Sequence, residues 1–287
     1  MTSTEVHRVG DIDDPASRVV RIVHISDTHL MHDSFVEENL IPDGDILVHS
    51  GDFDKCHVSR LISRDSDYLS EIAAINAFFS GLPHPTKIFV AGNHETNFPR
   101  QQRQRTASLL APSCIYLQDA SVNVNGVNFY GSPWNGLRHK SFARAFTISY
   151  SSLPAYWQQI PADTDVLVTH SPAYGVADLG SNKHLLNVSR HCQDCQDYHK
   201  VYRHFGCRSL LDEILHRVRP AAHLFGHAHE PSGVQVVEGV LFSNAAMACN
   251  KSAANVIDFY VGSERQQREC STQPQYTTQH DSRCLVM

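Results

Sequence analysis

The chain has 287 residues, 41% of them hydrophobic and 19% charged, which fits one large globular α/β domain or two small ones. Its formal net charge of −6 speaks against nonspecific nucleic-acid binding, which needs a positive surface. No segment reaches the apolar length needed to cross a bilayer, and the polar start MTSTEVHRVGDIDDP lacks a signal-peptide core. The expectation is a cytoplasmic protein whose 8 cysteines need form no bridges.

Residues 1–17 read as a polar tail and residues 18–262 as the folded domain. The first apolar run, Val19–Ser26 (VVRIVHIS), has the composition of a buried strand and is followed by Asp27 and His29 in DTH. A second strand, Asp45–Ser50 (DILVHS), runs into Gly51 and Asp52. Tyr68–Ser80 carries apolar side chains at helical spacing, with Gly81 and Pro83 as its stop signal. The run Lys87–Ala91 (KIFVA) is followed by Gly92, Asn93, His94 and Glu95.

Val127–Gly131 (VNFYG) and Asp165–Thr169 (DVLVT) are further strands, the latter ending at His170. The polar interval 182–204 reads as a surface insertion. Ser209–Val218 predicts an amphipathic helix stopped by Pro220, and Ala222–Phe225 (AHLF) a last strand, leading into Gly226, His227 and His229. Residues 263–287 read as a second polar tail. Strands alternating with helices predict an α/β fold.

Five strands each end in a group able to bind a metal or move a proton. In α/β sheets, ligands bind where the carboxyl ends of strands loop out. Each of these residues alone is as well explained by a turn or a strand terminus; together they are not explained by packing. The donors are carboxylates, imidazoles and one amide without a thiolate, a set that favours Mn, Fe or Zn. Seven candidates (Asp27, His29, Asp52, Asn93, His170, His227 and His229) exceed what one tetrahedral zinc takes. Two divalent ions sharing a carboxylate would use them all. Two metals about 3.5–4 Å apart clamp the attacking and leaving oxygens of phosphoryl transfer, with a shared hydroxide as nucleophile.

The ordered motifs DTH, GD, GNHE, TH and GHAH, spread from Arg21 to Tyr260, resemble those of the calcineurin-like metallophosphoesterase superfamily. YLQD at Tyr116–Asp119, YGSPW at Tyr130–Trp134, the pair Gly206–Cys207 and RVRPAAHLFGHAHE are similar to its metallophosphoesterase-domain-containing branch. The resemblance implies a four-layer α/β/β/α sandwich of two mixed sheets with a dimetal site at the strand ends. It assigns Asp27, His29 and His229 to one ion, Asn93, His170 and His227 to the other, and Asp52 to both. It makes His94 a catalytic proton donor that binds no metal.

The resemblance also implies hydrolysis of small phosphorylated substrates, phosphodiesters and cyclic nucleotides before phosphoproteins. A protein phosphomonoesterase and an inactive binding module of the same fold are the alternatives. Glu95 stands where many relatives have Asp, leaving open which acid orients His94. By the same resemblance, Gly226 should let the strand turn so that His227 and His229 reach different ions.

Three lesser signals remain. Trp134, Asn135 and His139 follow a strand, where they could line a base pocket or belong to the core. Cys192 and Cys195, with His199 or His204, have zinc-like spacing, although a solvated loop fits the short pattern better. The terminal CLVM matches a prenylation box. A farnesyl group on Cys284 would give weak, reversible association with the cytosolic face of a membrane.

Overall fold

The computed structural model describes residues 5–54, 65–111, 113–137, 145–181, 195, 202–248 and 251–263. In chain order the first strands are β1 (Val6–Gly10), β2 (Arg18–Ile25), β3 (Ile46–His49), β4 (Thr86–Phe89) and β5 (Ile115–Tyr116). Next come β6 (Ala120–Val124), β7 (Val127–Ser132), β8 (Asn135–Leu137), β9 (Thr147–Ser149) and β10 (Val166–Thr169). The remainder are β11 (Leu179–Ser181), β12 (Tyr202–His204), β13 (Ala222–Phe225), β14 (Gly233–Val237), β15 (Val240–Asn244) and β16 (Asn255–Val261). The helices are α1 (His32–Glu37), α2 (Asp65–Ser80), α3 (Arg103–Leu110), α4 (Leu153–Trp157) and α5 (Arg208–Glu213). A π-helical turn, Ile214–Val218, continues α5 and ends at Arg219, whose φ of 49° closes it before Pro220.

Two six-stranded sheets result, ordered β1-β16-β2-β3-β4-β5 and β14-β15-β13-β10-β7-β6. Strand alternation sends successive side chains to opposite faces. In β2, Val20 and Ile22 join the core between the sheets, while Val23 and Ile25 join the outer core that the helices cover. β10 divides likewise: Val166 and Val168 face inward and Leu167 outward. The inward face of the first sheet therefore meets that of the second, and α2 seals the outside through contacts such as Phe79 on Phe89. α4 and α5 supply Leu153, Trp157 and Leu210 to the outer core. The result is the α/β sandwich of two mixed sheets that the motifs implied.

One expectation about the periphery changes. Val6–Gly10, expected within a polar tail, is an edge strand paired in parallel with β16; Arg8 is exposed and Val9 is buried. The expected insertion, 182–204, follows directly on β11 and ends in β12, which pairs antiparallel with β11. His139, Cys192, His199 and Cys284 lie outside the described residues. Among the described residues, no helix is long and apolar enough to cross a membrane.

Candidate metal centre

β2, β3 and β4 are parallel neighbours, and so are β10 and β13, so their carboxyl ends share one edge of each sheet. Backbone bonds from Ser26 N to the Ala245 carbonyl and from Met247 N to the Ser26 carbonyl tie these edges together. The loops that leave this rim carry all seven expected ligands. Four of them hold strained left-handed backbone: Asp27 at φ 51°, His29 at 45°, Asp52 at 57° and His227 at 68°. Residues other than glycine seldom adopt that region, although Asp, Asn and His do so more readily than the rest, and such backbone clusters at functional sites.

Three overlapping groups of donors form, each with its ligand atoms within 4.8 Å of one another: Asp27–His29–His229, His29–Asp52–His94 and Asp52–His170–His227. In the first, His229 Nε2 stands 3.0 Å from Asp27 Oδ1 and 3.3 Å from His29 Nε2. In the third, His170 Nε2 stands 3.3 Å from Asp52 Oδ2 and 3.1 Å from Asn93 Oδ1. An ion bound at about 2.0–2.2 Å by each donor sets neighbouring donors roughly 3–3.5 Å apart, so these spacings fit a coordination shell. Asp52 belongs to two of the groups, as a bridging ligand must. His94 also stands in the middle group, its Nε2 3.7 Å from Asp52 Oδ2.

The surroundings orient these donors. His29 Nδ1 donates to the Asp54 carbonyl at 3.0 Å, and His170 Nδ1 to the Ser50 carbonyl at 2.9 Å. Both rings are thereby turned to present Nε2 to the centre, the usual outer-sphere device of metal sites. Asp27 Oδ2 accepts from Ser26 Oγ at 2.6 Å and from His227 N at 2.9 Å, which leaves Oδ1 facing the histidines.

Electrostatics fit a cation site. Burial pushes the Asp27 carboxyl up, but the His229 hydrogen bond and the charge of His170 outweigh it and hold it well below the usual range. Asp52 is likewise raised by burial and lowered further by His170 and His94, ending well below its ordinary value. His170 is lowered by burial and raised more by Asp52, reaching about 9, so this position favours positive charge. His227 is pushed down to about 3, chiefly by burial, which keeps its imidazole neutral and its lone pair available to a metal.

Glu95 has a different role from the one its place beside His94 suggested. Its buried carboxylate accepts from Asp52 N at 3.0 Å, Phe53 N at 2.8 Å and Asp54 N at 3.3 Å, and also from Gly92 N. It therefore clamps the loop after β3 to the loop after β4. Burial and the nearby Asp52 push its carboxyl up to about 7 against those donors. His94 is held from its backbone instead, its N donating to Asp52 Oδ1 at 2.7 Å.

Gly226 also departs from expectation. The turn is made by the left-handed backbone of His227. Glycine is required because a Cβ at position 226 would lie 2.0 Å from Asp27 Oδ2 and 2.1 Å from Ser26 Oγ. What the sequence reading missed is the supporting shell of Ser26, Ser50 and Asp54. Small and polar residues beside motif positions carry no signal distinct from ordinary turns.

Of the two readings for the residues after β7, Trp134 and Asn135 fit the core. Trp134 is buried; its Nε1 donates to Asp119 Oδ2 at 2.8 Å and its ring packs 4.4 Å from Tyr156. Asn135 is buried too, its Nδ2 on the Pro133 carbonyl at 2.9 Å. Asp119 is a ready hydrogen-bond acceptor for the indole N–H, and that makes the tryptophan a core residue. Of the zinc-like set, Cys195 is half-buried and His204 Nδ1 faces Asp178 Oδ1 at 2.8 Å.

A family model described as calcineurin-like phosphoesterase matches residues 20–231. The UPF0046 protein C25E10.12 of Caenorhabditis elegans is 34% identical over 246 residues, which span 81% of this chain and 76% of that protein. A second protein of that worm, UPF0046 protein K07C11.7, is 31% identical over 262 residues, 86% of this chain and 77% of its own length. Metallophosphoesterase domain-containing protein 1 of Homo sapiens is 29% identical over 249 residues, 79% of this chain and 66% of that protein.

Proposed function

This chain belongs to the calcineurin-like phosphoesterase family, and on that premise we propose that it is a dimetal phosphoesterase acting on small phosphodiesters, cyclic nucleotides among them. The observation that carries the reading is the run of three donor groups linked through His29 and Asp52. Two divalent ions bound there supply Lewis-acid polarisation of phosphoryl oxygens and lower the pKa of coordinated water. Asp27, His29 and His229 would hold one ion, Asn93, His170 and His227 the other, with Asp52 within reach of both. Sequence likeness to the metallophosphoesterase-domain-containing branch supports a diester in preference to a phosphoprotein.

The protein's own groups do the rest. His94, flanked by His29 at 4.7 Å between ring centroids, gives a proton to the leaving oxygen as the ester bond breaks. Glu95 and the Ser50 and Asp54 carbonyls keep the donors from relaxing, so little reorganisation is needed when charge develops on phosphorus. Hydrolysis of bis(p-nitrophenyl) phosphate and of p-nitrophenyl phosphate, each with and without added Mn²⁺, tests the reading. Metal-dependent turnover that favours the diester is expected. Faster monoester turnover would point to a phosphomonoesterase, and no metal-dependent turnover of either to a binding module.

A further inference from the structure

β3 ends in His49, and strand alternation turns this imidazole to the side of Leu47, into the outer core that α2 covers. The rings of Phe89, Phe53 and Phe79 stand 5.5, 5.9 and 6.3 Å from it between centroids. A buried imidazole walled by such apolar surface depends on the few polar atoms it meets. Both of its nitrogens are met. Gly51 N donates to Nδ1 at 3.2 Å. A ring nitrogen that accepts a backbone N–H carries no proton, so the ring is neutral with its hydrogen on Nε2. Nε2 then donates to Thr28 Oγ1 at 3.0 Å.

Each partner sits at a strained point of a ligand loop. Thr28 lies between Asp27 and His29, at φ 51° and 45°, and Gly51, at φ 109°, precedes Asp52, at φ 57°. Such backbone persists only where its surroundings over-determine it. Bonds from Asp27 N to the Gly51 carbonyl and from His29 N to the Asp52 carbonyl already join the two loops. The imidazole adds a tie of fixed span, because its two nitrogens belong to one rigid ring.

We propose that His49 is a positioning residue of the metal centre: through Thr28 and Gly51 it sets the spacing between Asp27 and His29 on one loop and Asp52 on the other, and with it the way Asp52 joins the ions. The role rests on the dimetal reading for what those three residues hold.

Low-temperature electron paramagnetic resonance of the full chain loaded with Mn²⁺ tests it, because exchange coupling between two Mn²⁺ ions depends on the atoms that link them. Thr28→Val replaces the hydroxyl by a methyl group of similar size and leaves every ligand in place. It should change the coupled signal of the wild type and weaken Mn²⁺ binding about 10–100-fold, the cost of disturbing groups that orient ligands. Thr28→Ser, which keeps the hydroxyl, should restore the wild-type signal. His49→Phe, which suits the aromatic surroundings but removes both bonds, should change the signal further. Unchanged coupling in Thr28→Val overturns the role of His49 alone, even if the melting temperature falls, since stability is all that a purely structural ring would supply. A wild type without a coupled signal overturns the dimetal reading itself, and this role with it.

Discussion

Asp27 shows how much of the centre depends on single atoms. One carboxylate oxygen is fixed by Ser26 and the His227 backbone, and the other is left for His229. Gly226 keeps the space in which this happens. Gly226→Ala should therefore displace Asp27 and weaken metal binding about 10–100-fold, the usual cost of disturbing the groups that orient ligands. Metal titration by calorimetry reads this, and unchanged affinity would show that the loop absorbs the methyl group. His94 should behave in the opposite way. His94→Ala should keep its metal content and lose about 10²–10⁴-fold in turnover, the range for a missing proton donor. Full activity in that variant would refute the role.

At the scale of elements, the loops after β3 and β4 act as one unit because Glu95 receives backbone N–H groups from both. Glu95→Gln puts an amide NH₂ where an acceptor is needed, leaving buried donors unsatisfied at about 1–3 kcal/mol. A lower melting temperature is expected, with weaker metal binding; a variant as stable as the wild type would mean that the clamp is dispensable. The central strands were legible in the sequence, since apolar runs such as AHLF at β13 end in polar residues at the rim. The edges were less so. β16 and β1 are ordinary in composition and owe their pairing to neighbours distant in sequence. The β6–β7 hairpin was readable but overlooked: Asn125 and Gly126, at φ 52° and 75°, are the Asn-Gly pair that a tight hairpin turn demands. The ligand set was legible because each residue follows a strand. Trp134 was not, because the same position after β7 serves a pocket or a core, and only Asp119 decides between them.

For the whole molecule, buried histidines should add to the acid sensitivity of the fold. His24 bridges the sheets, its Nδ1 2.8 Å from Ser243 Oγ and its Nε2 2.9 Å from Ser50 Oγ. Burial, helped by the neighbouring His49 and His223, pushes its pKa down to about 3. His223, packed on Phe225, is lowered to about 3 by burial. Unfolded, each ring takes up a proton near pH ~6.5, so protonation favours the unfolded chain. Stability should be complete above that pH and fall as pH drops towards 3. His223→Gln, which keeps a donor for Thr169, should lower the slope of stability against pH by up to about 1.4 kcal/mol per pH unit. Urea melts between about pH 6 and 4 would show it; parallel curves for variant and wild type would place the acid sensitivity elsewhere.

The same rim that brings five strand ends together makes the dimetal centre the account's central claim. Anomalous diffraction from crystals grown with Mn²⁺ tests it most directly. Two peaks about 3.5–4 Å apart are predicted, one beside Asp27, His29 and His229, the other beside Asn93, His170 and His227, with Asp52 between them. A single peak, or peaks away from these residues, would contradict it.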